Sequence, residues 1–235
     1  MSTMTRELRD HVLARWALIG AILLVEGIAV AESVRFPGIF TPPAVATLYL
    51  GIFVLTLIAY AIMAIVATHT RSPSADVALM HALRWGAIVG VLWWIEILEG
   101  NVWRLPGPWL ALLYFGPSIA ACIVPAIAAA VTVRQTARFR SGLAAGMWSG
   151  MIGGLLTFLG GTAILWAFNA SFLHDPQNMQ EFLRSHARGL APDLQTYIAG
   201  DLLAGLIAHL TVIGIVISAI AGAIGASMGQ RGTPD

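Results

Sequence analysis

Ionisable side chains lie deep inside the apolar stretches of this chain. They are Glu26, Glu96, Glu99, Asp201 and His209. Carboxylates and imidazoles of this kind bind protons, metal cations or organic amines. Placing one charged group at the centre of a bilayer costs at least about 2.5–3.5 kcal/mol, so such a group normally faces the interior of a helix bundle, a partner or water.

The depth of these groups follows from landmarks that occur twice. Arg15-Trp16 and Arg35-Phe36-Pro37-Gly38 bracket one apolar stretch, and Arg84-Trp85 and Arg104-Leu105-Pro106-Gly107 recur 69 positions later. At 1.5 Å per helical residue, Arg15 and Arg35 are about 30 Å apart, the thickness of the hydrocarbon core. We therefore expect two layers: Glu26, Glu96 and His209 near the midplane, and Glu32, Glu99 and Asp201 in the outer leaflet.

Only two cations, Arg35 and Arg104, stand near these layers. Glu32 and Arg35 are i,i+3 neighbours and are expected to form an ion pair at the rim, and Arg104 is the expected partner of Glu99. The cluster is still net acidic, which suits a proton, a cation or a cationic small molecule. The alternative is structural: Asp201 accepts hydrogen bonds near a helix start, and His209 is a hydrogen-bonded packing residue.

The composition predicts an integral membrane protein. Hydrophobic residues make up 58% and charged residues 11% of the 235 residues, and the mean hydropathy is +0.80. Soluble domains carry about 25% charged residues. The net charge of +1 gives no basic surface for nucleic acid, and the expected environment is the lipid bilayer. The N-terminal stretch resembles a signal peptide, but Glu26 interrupts its apolar core, so we expect a retained helix.

Six stretches are long enough to cross a bilayer, at roughly 20 residues each. They are 16–33, 44–67, 85–101, 109–133, 143–168 and 196–226. Nine arginines fall on one side of these spans and four on the other. By the positive-inside rule we expect both termini in the cytoplasm. The membrane that the chain is expected to cross is the inner membrane of the cell.

The spans are expected to form one all-α membrane domain, 1–235, of three parallel helical hairpins. The hairpins are 15–68, 84–133 and 142–227; the first two share the landmarks above, and the third shares only their layout. The segment 169–195 is expected to contain a short amphipathic helix on the outer surface, beginning at Asp175-Pro176. Pro117 and Pro125 should kink the fourth span.

Small residues recur every four positions in the last two spans. The fifth has Gly142, Gly146, Gly150 and Gly154, and the sixth has Gly214, Ser218, Gly222 and Ala226. Such ladders let helix backbones approach closely in lipid. We expect the two ladders to face each other within the chain, the alternative being contact with a second protomer.

No enzyme motif fits this chain. Only one histidine is deep, which leaves bis-histidine haem without a second ligand, and His-Glu-x-x-His is absent. Gly225-Ala226-Ser227-Met228-Gly229 spells a hydrolase elbow but lies at the end of an apolar helix. We expect no enzyme, cofactor or bound metal. The expected function is a small permease or transport subunit; the alternative is a scaffold or regulatory partner of another membrane complex, or of a second copy, docking through the glycine ladders.

Overall fold

The computed structural model describes residues 3–40, 43–69, 72–103, 105–189 and 191–231, and these are almost entirely helical, with no strand. The helices are α1 (Thr3–Arg35), α2 (Pro43–His69), α3 (Pro73–Leu98), α4 (Pro108–Thr136), α5 (Phe139–Leu173), α6 (Pro176–His186), α7 (Leu194–Ala208) and α8 (Ser218–Arg231). A short 3-10 helix, Pro37–Phe40, follows α1. Six helical stretches of the described residues are long and apolar enough to cross a membrane.

Several helices begin where the sequence supplies a cap. Ser72 accepts a hydrogen bond from the backbone N–H of Ala75 at the start of α3. Asp175 does the same for Gln177 at α6, and Asp193 for Thr196 at α7. A proline occupies the first turn of both α3 and α6, where its missing N–H costs nothing. The short helix expected after Asp175 is thus confirmed.

Helix α5 is the centre of the bundle. Its most apolar part is 56% buried, against 22–39% in the other five spans. It packs against α3, α4, α7 and α8, whereas α1 and α2 make fewer contacts with the remaining helices. The largest apolar core lies around Trp148, Leu155 and Phe158 of α5 and extends to Val25 of α1 and Tyr60 of α2.

One face of α5 is lined by the first glycine ladder, which lies against α4 and α8. A Cβ atom on Gly146 would lie 2.6 Å from the Cα of Gly222. One on Gly222 would lie 3.3 Å from the carbonyl oxygen of Leu143. One on Gly150 would overlap the hydroxyl of Ser218. Van der Waals contact at such short range needs glycine, since any side chain would separate the helices.

A second set of glycines joins α5 to α3. A Cβ atom on Gly86 would lie 2.8 Å from Ile152, and one on Gly90 would lie 2.6 Å from Leu156. A Cβ atom on Gly153, in turn, would overlap Val89. The spacing of four between Gly86 and Gly90 is visible in the sequence, but these glycines lie outside the two predicted ladders.

Two membrane spans change helical geometry along their length. The α3 π turn, Glu99–Trp103, continues α3, and the α7–α8 π segment, His209–Ile217, joins α7 to α8. The apolar spans of the sequence predict uninterrupted α-helix at both places. Helix α4 runs on through Pro117 and Pro125, whereas α5 is interrupted at Phe168, with φ −111° and ψ 15°. Because π turns break the regular i→i−4 bonding, they are often found at functional sites.

Candidate binding site within the membrane helices

Glu99 is the most deeply buried of the predicted site residues, with 0% of its surface exposed. It is the first residue of the α3 π turn. Its Oε1 accepts a hydrogen bond of 2.9 Å from the backbone N–H of Leu105, just after the turn. Its Oε2 is buried and has no partner among the described residues. Half of this carboxyl group is therefore available to a proton or a cation.

Glu96 lies one helical turn before Glu99 and is half-buried. The phenol of Tyr114, from α4, lies close to its carboxyl group. A Cβ atom on Gly100 would be 3.1 Å from the Tyr114 ring, so this ring also packs against the α3 π turn, which follows Glu96 in the chain. Tyr114 therefore connects Glu96 to the neighbouring helix, a partnership that the sequence pattern does not reveal.

His209 begins the α7–α8 π segment and contacts Trp93 of α3. The two rings meet edge to face, with centroids 4.6 Å apart. The Nδ1 atom of His209 is 2.8 Å from the carbonyl oxygen of Gly205. Because a carbonyl only accepts, Nδ1 carries the proton of this bond, and in the neutral ring Nε2 is an acceptor. Among the described residues that Nε2 atom is buried and unpartnered, as is the Nε1 donor of Trp93.

The residues after His209 connect the π segment to α2. The hydroxyl of Tyr60 donates to the carbonyl oxygen of Leu210 over 3.2 Å. The hydroxyls of Thr56 and Thr211 are 3.0 Å apart. Of the three consecutive residues from His209 to Thr211, the first thus contacts α3 and the other two contact α2. Together with their partners they form a small polar layer across the apolar bundle.

Glu32 does not pair with Arg35, although the two are i,i+3 neighbours. Glu32 is 5% exposed, and its Oε1 accepts a hydrogen bond of 2.7 Å from the indole Nε1 of Trp166, on α5. Arg35 is exposed, and its guanidinium lies 5.2 Å from the centre of the Phe36 ring. The expected rim ion pair between Glu32 and Arg35 is therefore absent, because Glu32 bonds to Trp166 of α5 while the guanidinium of Arg35 lies over the Phe36 ring.

The remaining predicted residues lie apart from these groups. Glu26 is half-buried, and Asp201 is exposed on α7, near Glu181 of α6. Arg104 lies outside the described residues. In the described part of the chain, the ion pair is that of Arg15 with Asp76, 3.0 Å apart, where α1 meets the start of α3.

The structure does not gather the five predicted residues around one point. Glu96 lies on α3 and Glu99 begins the α3 π turn that continues it, and Trp93, one turn before Glu96, contacts His209. Across the described residues, no three His, Cys, Asp or Glu side chains form a group that could hold a metal ion. The site is therefore a row along α3, completed by Tyr114 from α4 and His209 from the π segment.

Aromatic partners and π geometry belong to the site but do not follow from the sequence pattern. Trp93, Tyr114 and Trp166 each contact one of the predicted ionisable residues. Their amphipathic rings are common in membrane helices, so residue type alone does not separate them from interfacial or packing aromatics. The π turns have no sequence pattern that distinguishes them from ordinary α-helix here.

Comparison of the chain with models of known protein families, with curated proteins and with solved structures finds no match.

Proposed function

We propose that this chain is a small multi-pass membrane permease, or the membrane-embedded subunit of a transporter, that binds a proton, a cation or a cationic small molecule at Glu99 and Glu96. The observation that carries the proposal is the carboxyl group of Glu99, fully buried with one oxygen unpartnered among the described residues. A buried carboxylate without a cation is strongly disfavoured, so the group holds either a proton or a positively charged ligand.

The surroundings of Glu99 support an exchangeable occupant. Its α-helix gives way to a π turn at Glu99 itself, so the backbone there departs from the regular bonding of a membrane helix. Glu96, one turn away, adds a second carboxyl group, and the phenol of Tyr114 lies close to it. When one of these two carboxyl groups releases a proton or cation, the second carboxyl group is only one helical turn away and can accept it.

Trp93 and His209 extend this row towards the midplane. Within the described structure, the unpartnered indole N–H is a donor, and the unpartnered imidazole Nε2 of the neutral ring is an acceptor. A small molecule that accepts from one and donates to the other, such as water, would satisfy both. Each group in the row from Glu99 to His209 can then donate or accept a hydrogen bond, and its carboxyl and imidazole groups can also bind a proton.

The alternative function, a scaffold that docks through its glycine ladders, is less well supported. The glycines it would use, including Gly146 and Gly222, lie against helices of the same chain. A partner could reach them only by displacing α5 or α8. We therefore favour ion or amine binding.

The test is transport by the purified chain in liposomes. Proton flux is followed with trapped pyranine, and cation uptake with ²²Na⁺, ⁸⁶Rb⁺ and labelled methylammonium. Gln is nearly isosteric with Glu and keeps an acceptor for Leu105, but it cannot bind a proton or cation by charge. We expect Glu99→Gln to lower the rate for the active species by at least about tenfold, corresponding to roughly 1.4 kcal/mol.

Glu181→Gln is the matched control, because Glu181 lies on the short helix α6 and outside the spans. Its flux should equal that of wild type. A thermal-shift panel with the same cations tests binding when flux needs a missing subunit. If no species is transported by wild type, and none stabilises wild type more than Glu99→Gln, the proposal is wrong.

A further inference from the structure

A cavity of about 90 Å³ opens between the end of α1, α5 and the start of α7. Its polar lining comes from Arg35, Asn169 and Gln195, and its apolar walls from Phe36, Leu165, Trp166 and Ala199. An apolar cavity of about 150 Å³ holds a benzene molecule, so this one has room for a group of about three to five non-hydrogen atoms.

The guanidinium of Arg35 is free to bind a ligand. Its nearest acid in the helix, Glu32, is hydrogen-bonded to Trp166 instead. Arg35 has no ion pair within the described residues, and its guanidinium is steadied by contact with the Phe36 ring. The same hydrogen bond that removes Glu32 also fixes Trp166, which forms a wall of the cavity.

The two amides add neutral donors to this cation. Neither the Asn169 nor the Gln195 side chain is hydrogen-bonded to another described residue, and both face the cavity. Asn169 follows directly on Phe168, where α5 is interrupted. Gln195 lies in the first turn of α7, where the carboxylate of Asp193 already caps the helix, so the amide side chain and not the helix end is what α7 offers to the cavity.

We propose that this cavity binds an oxyanion group, a carboxylate or a phosphate, through Arg35, Asn169 and Gln195. A guanidinium with five donors matches the two or three oxygens of such a group, and charge-assisted bonds of this type are the strong ones. The group belongs either to a small soluble anion or to the headgroup of a phospholipid, since the cavity is at the end of membrane-spanning helices. This site is separate from the acidic row along α3.

The experiment titrates the purified chain in detergent with inorganic phosphate and with acetate, following the apparent melting temperature. In parallel, native mass spectrometry measures retention of dioleoyl phosphatidylglycerol. We expect wild type to bind at least one of these probes saturably. Arg35→Gln should weaken that binding by at least about tenfold, because it removes the only charge in the set.

Asn169→Ala and Gln195→Ala are the second variants, and they keep the test open if Arg35→Gln does not fold. Arg188→Gln, which removes an exposed arginine that does not line the cavity, is the matched control and should bind like wild type. Stabilisation by phosphate or acetate identifies a soluble anion as the ligand, and retention of lipid alone identifies a headgroup.

Binding that is absent in wild type, or that survives unchanged in all three cavity variants, overturns the proposal. Neither result bears on the acidic row, because the flux test changes Glu99 and uses cations.

Discussion

Single residues in this bundle form partnerships that helix spacing alone does not predict. Spacing puts Glu32 beside Arg35, and the structure gives it Trp166, on a helix 134 positions away in sequence. The indole N–H is neutral, so its hydrogen bond to a buried carboxyl group does not require a second charge to be desolvated. Pairing with Arg35 would instead hold Glu32 at the rim. The depth that counting gives for Glu32 stays a prediction, and its partner could not be predicted, because that depends on how α1 packs against α5.

This partnership makes a prediction for stability. Trp166→Phe keeps most of the ring but removes the hydrogen bond that Glu32 accepts, so neither of its oxygens keeps a partner among the described residues. We expect the free energy of unfolding to fall by about 1–3 kcal/mol. Chemical or thermal unfolding in detergent measures the change.

Trp109→Phe is the control for that variant, because Trp109 is 60% exposed at the start of α4. Glu32→Gln in the Trp166→Phe background should recover part of the loss, since a neutral amide is cheaper to bury than a carboxylate. Equal stability of Trp166→Phe and Trp109→Phe would show that the Glu32 bond contributes nothing.

At the scale of helices, the sequence predicts those elements that depend on apolar length and on capping residues. The six long apolar helices and the start of α6 at Asp175-Pro176 agree with the structure because they depend on local composition. The α3 π turn and the α7–α8 π segment could not be predicted, since no local residue pattern marks them, and the contacts that Trp93 and Tyr60 make with the α7–α8 π segment come from other helices. Whether the helices form three repeated hairpins stays a prediction.

The contact of α5 with α8 can be tested by adding one methyl group. A Cβ atom on Gly150 overlaps Ser218, so Gly150→Ala should destabilise the protein by about 1–3 kcal/mol. Ser218→Gly in the same chain removes the obstruction. The double variant should therefore be more stable than the sum of the two single changes predicts, with a coupling of about 1–2 kcal/mol.

Gly116→Ala is the control for this cycle, because a Cβ atom there has nothing within 4 Å among the described residues. It should leave the melting temperature unchanged or raise it slightly, through better helix propensity. Strict additivity of Gly150→Ala and Ser218→Gly would mean that these two positions do not meet.

For the whole molecule, the arginine distribution predicts which end of the bundle lies in the cytoplasm. The chain has one cysteine, Cys122, so a Cys122→Ala background allows single reporters. Ala187, just after α6, and Gln230, near the end of α8, are exposed and lie at opposite ends of the span formed by α7, the π segment and α8. We expect a membrane-impermeant maleimide to label Ala187→Cys in intact cells.

Gln230→Cys should react only after the cells are opened. A reaction of both positions from the same side would contradict a membrane crossing between them. Labelling of Gln230→Cys alone in intact cells would reverse the predicted orientation.

The two glycine-lined faces of α5 have a mechanical consequence. The side chain of Val89 occupies the gap at Gly153, and that of Ser218 occupies the gap at Gly150. Each of these side chains is held between the residues that flank its glycine on α5, so an axial shift of α3 or α8 must first lift it out. The glycines therefore fix the register of the neighbouring helices on α5 as well as their distance from it.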